Sequence, residues 1–336
     1  MTTLPVKLTT SRNLADLPKA HLHTHLEGCA RAATMSEFAT KAGLTGPDEM
    51  LGGFNDLSSF LNVFEATCAA ITSVADLVRI ATEFVEDEAA QGVLYTEPMF
   101  GPFWWSRRLG IPSEEIWAPV HEAFQTTGRK LGVTVRYLGG VDKSWPPEWM
   151  NECVESAISH RLDGVVGFGA GGDESIPLSV LVPHFELAQR AGLFVVPHAG
   201  EVMGPAIVRE AVMLFSPRRI AHGIRATEDP EVLALLSARG IACDVCITSN
   251  VRLGVYRSVH DHPLAKMLAA GVPVTLNTDD QLFFGSLLAN EYEVARTQLG
   301  LNDSQLADIA RTSFAFSGAP ESLKKQAYET IARWLG

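Results

Sequence analysis

What this chain has little of narrows its function first. Basic residues are sparse: 27 Lys and Arg stand against 39 Asp and Glu, for a formal net charge of −12. They come at most in isolated pairs such as Arg107-Arg108 and Arg218-Arg219. Nothing forms the basic stripe that a phosphate backbone requires, so nucleic acid is excluded as a partner. No apolar run approaches the roughly 20 residues of a membrane helix, and Met1–Asn13 has neither the basic nor the apolar region of a signal peptide. Five scattered cysteines (Cys29, Cys68, Cys153, Cys243, Cys246) are an odd set, which favours a reducing compartment over a disulfide framework. The expectation is a cytoplasmic protein with no membrane partner. No Gly-x-Gly-x-x-Gly follows an early strand, which weakens a dinucleotide-binding fold. Gly169-Ala170-Gly171-Gly172 lacks the Lys-Ser/Thr of a phosphate loop and runs into Asp173-Glu174, which would repel phosphate.

What is present is ordinary globular material, 46% hydrophobic and 20% charged over 336 residues, with no linker or low-complexity stretch. A single domain spanning residues 1–336 is the expectation, since α/β barrels run to that size as one unit. Short β-branched runs alternate with longer amphipathic segments, the pattern of βα units around a parallel sheet. Eight strands are expected at Lys19–Leu26, Gly92–Glu97, Val133–Gly139, Gly164–Gly169, Leu193–His198, Arg219–His222, Ile241–Cys246 and Val272–Thr278. Helices are expected at Val74–Gln91, Glu114–Gly132, Val180–Gly192, Asp229–Gly240 and Pro263–Gly271, several of them closing on a glycine. The fold class that results is α/β, a (β/α)8 TIM barrel with a helical lid insertion after the first strand. The insertion, Met35–Ser73, carries Phe54, Leu57, Phe60, Leu61 and Phe64. That spacing suits both a packed amphipathic helix and a lid over the barrel mouth.

The chemistry-bearing residues fall at strand ends, which a closed barrel brings to one face. His23 and His25 are i and i+2 on one strand, so their imidazoles lie side by side. His198 adds a third nitrogen and Asp279 a carboxylate oxygen, a donor set that suits one Zn2+ with a position left for water. His222 is placed to collect the proton of that water. Glu201, three residues past His198, is placed to act as an acid. His21 shares a face with His23 but lies deeper, as a core or supporting residue. Two other metal arrangements fit less well. Cys243 and Cys246 have no preceding proline and face opposite sides of a strand, unlike a cysteine zinc pair. Strand four, Val165-Val166-Gly167-Phe168-Gly169, carries no Lys or Glu to bridge two metals.

The segments Pro18–Gly28, Gly171-Gly172-Asp173-Glu174, His198-Ala199-Gly200-Glu201, Ile220-Ala221-His222-Gly223, Thr248-Ser249-Asn250 and Leu276-Asn277-Thr278-Asp279-Asp280 together resemble the adenosine deaminase family. The resemblance runs from Pro18 to about Ser317. It implies metal ligands at His23, His25, His198 and Asp279, with His25 also beside the substrate. Glu201 would protonate N1 of a purine and His222 would orient the hydroxide. Gly172 would offer its N–H to N3, Asp280 would contact N7, and Glu27 would lie at the sugar. The implied reaction is zinc-dependent hydrolysis of the 6-amino group of an adenine nucleoside, a small-molecule substrate. Departures bear on the substrate. Glu27 replaces an Asp, Gly169-Ala170 replaces Asp-Leu, and an aromatic stretch from Phe100 to Trp105 follows Glu97, either walling a larger 5′ group or packing as a hydrophobic loop on the lid. The stretch Thr248–Val255 resembles relatives acting on modified nucleosides such as aminodeoxyfutalosine; free adenine is the third substrate expectation. A silent binding protein would have lost one of these residues, and none is lost.

Overall fold

The computed structural model describes residues 12–44 and 53–336. The short β-branched runs are buried parallel strands: β1 (Lys19–His21), β2 (Val93–Thr96), β3 (Thr134–Val135), β4 (Tyr137–Asp142), β5 (Val165–Gly171), β6 (Phe194–Ala199), β7 (Arg219–His222), β8 (Ala242–Val245) and β9 (Val274–Leu276). β3 and β4 are two halves of the expected third strand, parted at Arg136, whose guanidinium turns back to the Val135 carbonyl at 2.9 Å. The strand order is β1-β2-β3 and then β4 through β9. A bridge between Met99 and Leu138 joins the two runs, and one between Thr24 and Asp279 joins the last strand to the first. The ring is therefore closed, as a (β/α)8 barrel requires.

The closing seam is unusual. Strand pairing between β9 and the first strand is carried partly by a side chain: Asn277 Oδ1 accepts from the Leu22 and His23 N–H groups at 2.8 and 3.0 Å. The expected first strand, Lys19–Leu26, is consequently regular only to His21 and continues as single bridges. The five expected helices are present as Val74–Ala90, Ser113–Leu131, Val182–Arg190, Pro230–Arg239 and Leu264–Ala269. The glycines expected to close them, Gly92, Gly132, Gly192, Gly240 and Gly271, all have φ between 60° and 89°.

The insertion after the first strand contains helices Ala32–Ala42 and Leu57–Cys68; its residues 45–52 lie outside the described residues. Phe60 is buried against Phe54, Phe283 and Phe284, with ring centroids 5.1–5.4 Å apart, burial that contributes about 2–3 kcal/mol. Leu57, Leu61 and Phe64 on the same helix line the central cavity together with Phe60. The aromatic stretch after β2 is not a loop: Pro102–Leu109 is a helix, with Pro102 in its first turn and Gly110 in the left-handed conformation at its end. No helix among the described residues is long and apolar enough to cross a membrane.

Candidate active site

The barrel's carboxyl end gathers the expected residues. His23 and His25 follow β1, His198 lies in β6, His222 ends β7 and Asp279 follows β9. His23 Nε2 and His25 Nε2 each lie 3.3 Å from Asp279 Oδ1, and the His198 ring is 4.8 Å from that of His23, centroid to centroid. His222 approaches as closely: ligand atoms of His23, His198, His222 and Asp279 all fall within 4.8 Å of one another. Two non-glycine residues here, His222 at φ 65° and Asp279 at φ 63°, occupy the left-handed region. Such strain persists only where surrounding contacts impose it, and it concentrates at functional sites.

The donor set fits a metal ion. His23 Nε2 is buried and makes no hydrogen bond, a loss that coordination would make good. His198 donates from Nδ1 to the Ala170 carbonyl at 2.8 Å, which turns its Nε2 lone pair into the cluster. Asp279 Oδ2 accepts from the Ser249 hydroxyl at 2.7 Å, holding the carboxylate in place. Burial alone would raise the Asp279 pKa, but the imidazoles of His23 and His25 hold it well below the usual carboxylate range. Burial pushes His198 well below the usual histidine value, and the neighbouring histidines add to that. Neutral imidazole and ionised carboxylate are the forms that ligate metal.

Glu201 stands beside this cluster, its Oε2 3.6 Å from His222 Nε2. Burial, followed by the charges of Asp279, Glu174 and Asp280, pushes its pKa well up, the direction that suits an acid. Its loop is fixed by a residue to which no role had been given. The buried Glu174 carboxylate accepts four backbone N–H groups, from Gly200, from Glu201 at 3.1 Å, and from Val202 and Met203 at 2.6 Å each. Charge-assisted bonds of this kind are about twice as strong as neutral ones.

Gly172 has φ 87°, and a Cβ there would overlap the Asp142 carboxylate. A Cβ on Gly28 would likewise overlap Asp280, so both glycines are sterically required. Asp280 Oδ1 is buried without a hydrogen bond, and burial drives its pKa well up. Glu27 accepts from the Trp105 indole N–H at 2.6 Å, and burial raises its pKa as well. The aromatic stretch therefore grips the residue that departs from the family pattern, a pairing across 78 residues with no local signal. Between these groups lies a cavity of about 470 Å3. His21 is in its expected supporting place, 3.0 Å from Glu88 and 3.0 Å from the Thr278 hydroxyl. All five cysteines are buried and free, and Cys246 Sγ lies 3.8 Å from His23 Nδ1.

The comparisons with known proteins agree with this geometry. The family model described as adenosine deaminase matches residues 18–334. A protein of Streptomyces coelicolor named putative adenosine/adenine deaminase is 35% identical over 96% of this chain and 98% of its own length. An aminodeoxyfutalosine deaminase of the same organism is 35% identical over 91% of this chain and 82% of its own. The crystal structure of an amidohydrolase from Burkholderia ambifaria with bound Zn superposes with a TM-score of 0.88 at 25% identity, covering 97% of this chain and 94% of that one. With a closed barrel, a convergent His/Asp cluster and a family match over nearly its whole length, this chain belongs to the adenosine deaminase family of aminohydrolases acting on adenine compounds.

Proposed function

We propose that this chain is a zinc enzyme that removes the 6-amino group of an adenine nucleoside, adenosine or 2′-deoxyadenosine, with one Zn2+ held by His23, His25, His198 and Asp279. The observation that carries the reading is Glu201, a buried carboxyl whose pKa burial and neighbouring carboxylates push up, set beside imidazole nitrogens that converge on one carboxylate. Zinc on those donors would supply hydroxide at neutral pH. The chain's own residues supply the rest. Glu201 donates its proton to N1 of the purine, which drains electron density from C6 and opens it to attack. The oxygen of water adds at C6, its two protons pass one to the departing amino group and one back to Glu201, and ammonia leaves a 6-oxo purine. Asp280, whose pKa burial pushes up, faces N7, which can only accept, and donates to it in its protonated form; the Gly172 N–H donates to N3. His222 orients the attacking oxygen. Leu57, Leu61 and Phe64 cover the bound ring as a lid, so that water is excluded and each of these polar contacts is strengthened.

On the sugar side, the observations favour an uncharged substituent. Among the described residues lining the cavity there is no lysine or arginine, while Glu27, Glu65, Asp142 and Asp173 all line it. Residues 45–52 contain none either. An anionic 5′ group would meet these carboxylates at the cavity wall, of which Glu65 is already paired with Arg108. A 5′-extended nucleoside such as aminodeoxyfutalosine is the second reading, favoured by the 35% identical relative of that name, and free adenine the third. Ammonia release from adenosine, 2′-deoxyadenosine, adenine and aminodeoxyfutalosine, with a chelated control, tests all three. Chelator-sensitive turnover of adenosine supports the proposal. Turnover confined to aminodeoxyfutalosine or to adenine would replace it.

A further inference from the structure

Behind His222 runs a chain of hydrogen bonds that has only one possible direction. It starts at the Leu264 backbone N–H, which can only donate, and which lies 3.3 Å from His262 Nδ1. With Nδ1 accepting, the neutral His262 ring carries its proton on Nε2. That N–H meets Asn250 Oδ1 at 3.2 Å. With its oxygen engaged, Asn250 turns its amide nitrogen, again only a donor, to His222 Nδ1 at 3.3 Å. His222 Nδ1 must then accept, and the ring's one proton sits on Nε2. Nε2 is the atom that points into the site, 3.6 Å from Glu201 Oε2 and 3.9 Å from Asp279 Oδ2. Asn250 and His262 are both buried. Inverting the side-chain amide would set its NH2 against the His262 Nε2–H and strand buried donors, a cost of about 1–3 kcal/mol.

We propose that Asn250 and His262 are positioning residues that fix His222 as a hydrogen-bond donor toward the reacting oxygen. The inference rests on the deaminase reading for its catalytic consequence, though not for the tautomer. It separates two histidines that distance alone does not. His198 donates from Nδ1 and turns a lone pair inward; His222 accepts at Nδ1 and turns a proton inward. A nitrogen that carries a proton cannot ligate a metal. The ligand set is then His23, His25, His198 and Asp279, although by distance alone His222 and not His25 groups with His23, His198 and Asp279. His222 in this form does not take the proton of water. It holds the attacking oxygen by donating to it.

The test replaces the amide by a group that can only accept. In Asn250→Asp the carboxylate draws a proton onto His222 Nδ1 and removes it from Nε2. The expected result is a fall in kcat of about 100-fold, with KM and bound zinc per chain unchanged. His262→Gln keeps an N–H for Asn250 Oδ1 and should stay within about tenfold of the parent, whereas His262→Leu should fall with Asn250→Asp. Nitrogen-15 spectra of histidine-labelled protein read the tautomer directly, with or without zinc. His222 should show an unprotonated Nδ1 and a protonated Nε2 in the parent, and the reverse pattern in Asn250→Asp. A protonated His222 Nδ1 in the parent, or an Asn250→Asp enzyme with parental kcat, would overturn the proposal. If the parent released no ammonia from any adenine compound, the deaminase reading would fall, while the nitrogen resonances would still decide the tautomer.

Discussion

Two buried polar clusters sit on the barrel axis, and they are built on opposite plans. The lower one surrounds Arg219. Its guanidinium donates to Asp244 and Glu97 at 2.8 Å each, to the Phe316 carbonyl at 2.9 Å and to the Leu22 carbonyl at 3.3 Å. Glu97 also accepts from the Tyr95 hydroxyl at 2.7 Å and the Gly318 N–H at 2.6 Å, and Asp244 from Thr275 at 2.7 Å. Every member has its partners. The upper cluster, at the carboxyl end, packs four histidines and several carboxylates together, yet leaves His23 Nε2 and Asp280 Oδ1 without hydrogen bonds. Full satisfaction marks a group that holds the fold. Unsatisfied buried polar atoms within a cluster of potential ligands, one of them on the cavity wall, suit groups that metal and substrate would satisfy. The two clusters are linked: Thr275 accepts from Asn277 Nδ2 at 2.7 Å, and Asn277 Oδ1 holds the His23 backbone. The lower cluster is thus a footing for the upper one.

The contrast can be broken from either side. His198→Ala removes an upper donor and should abolish stoichiometric zinc binding, with activity lost about 10³-fold or more; full zinc content by metal analysis would mean the ligand set is different. Glu201→Gln should retain the metal and lose about 10²–10⁴-fold in kcat, and parental turnover would remove its role as the acid. In the lower cluster, Arg219→Leu leaves two buried carboxylates facing each other. It should cost about 3–5 kcal/mol of stability in urea unfolding, while any protein that stays folded keeps a near-normal KM. Glu174→Gln sits between these classes, since an amide cannot accept all four loop N–H groups. We expect kcat to fall about tenfold or more at constant zinc content, and the alkaline limb of the pH profile to move to lower pH, because losing the Glu174 charge lets Glu201 ionise earlier.

The smallest effect concerns acid stability. Burial lowers the pKa of His262 to about 3, below the roughly 6.5 of an unfolded histidine. Between those values the unfolded chain binds the extra proton and the folded chain does not. Stability therefore declines as pH falls from about 6.5 toward 3, by at most about 1.4 kcal/mol per pH unit for this residue. His262→Gln should lose less stability between pH 7 and pH 5 than the parent, as read from urea midpoints. Equal losses would show that His262 is not held neutral in the fold.

Much of the barrel was legible in the chain itself. β-branched runs closed by glycines mark strands and helix ends because period and turn chemistry are local properties. The convergence of the residues proposed as ligands and acid was legible for the same reason: each falls at or just past a strand end, and a closed barrel has one such end. Glu174 was not, although it lies two residues past Gly172, because its role depends on backbone N–H groups more than 25 residues away. Glu97 was read only as a flanking residue, and its partner Arg219 lies 122 residues on. The helix Pro102–Leu109 was open to reading as a loop because its aromatic residues obscure the amphipathic pattern, and the partner of Trp105, Glu27, is brought to it only by folding.

Residue order alone thus settles the fold class, the kinds of donor and their sequence along the strands, since these follow from periodicity and from where strands must end. Three-dimensional contacts settle everything that depends on direction: the closure through Asn277, the left-handed turns at His222 and Asp279, and which nitrogen of each imidazole faces inward. Hydrogen-bond direction is imposed by partners brought close only by folding, and no local pattern encodes it.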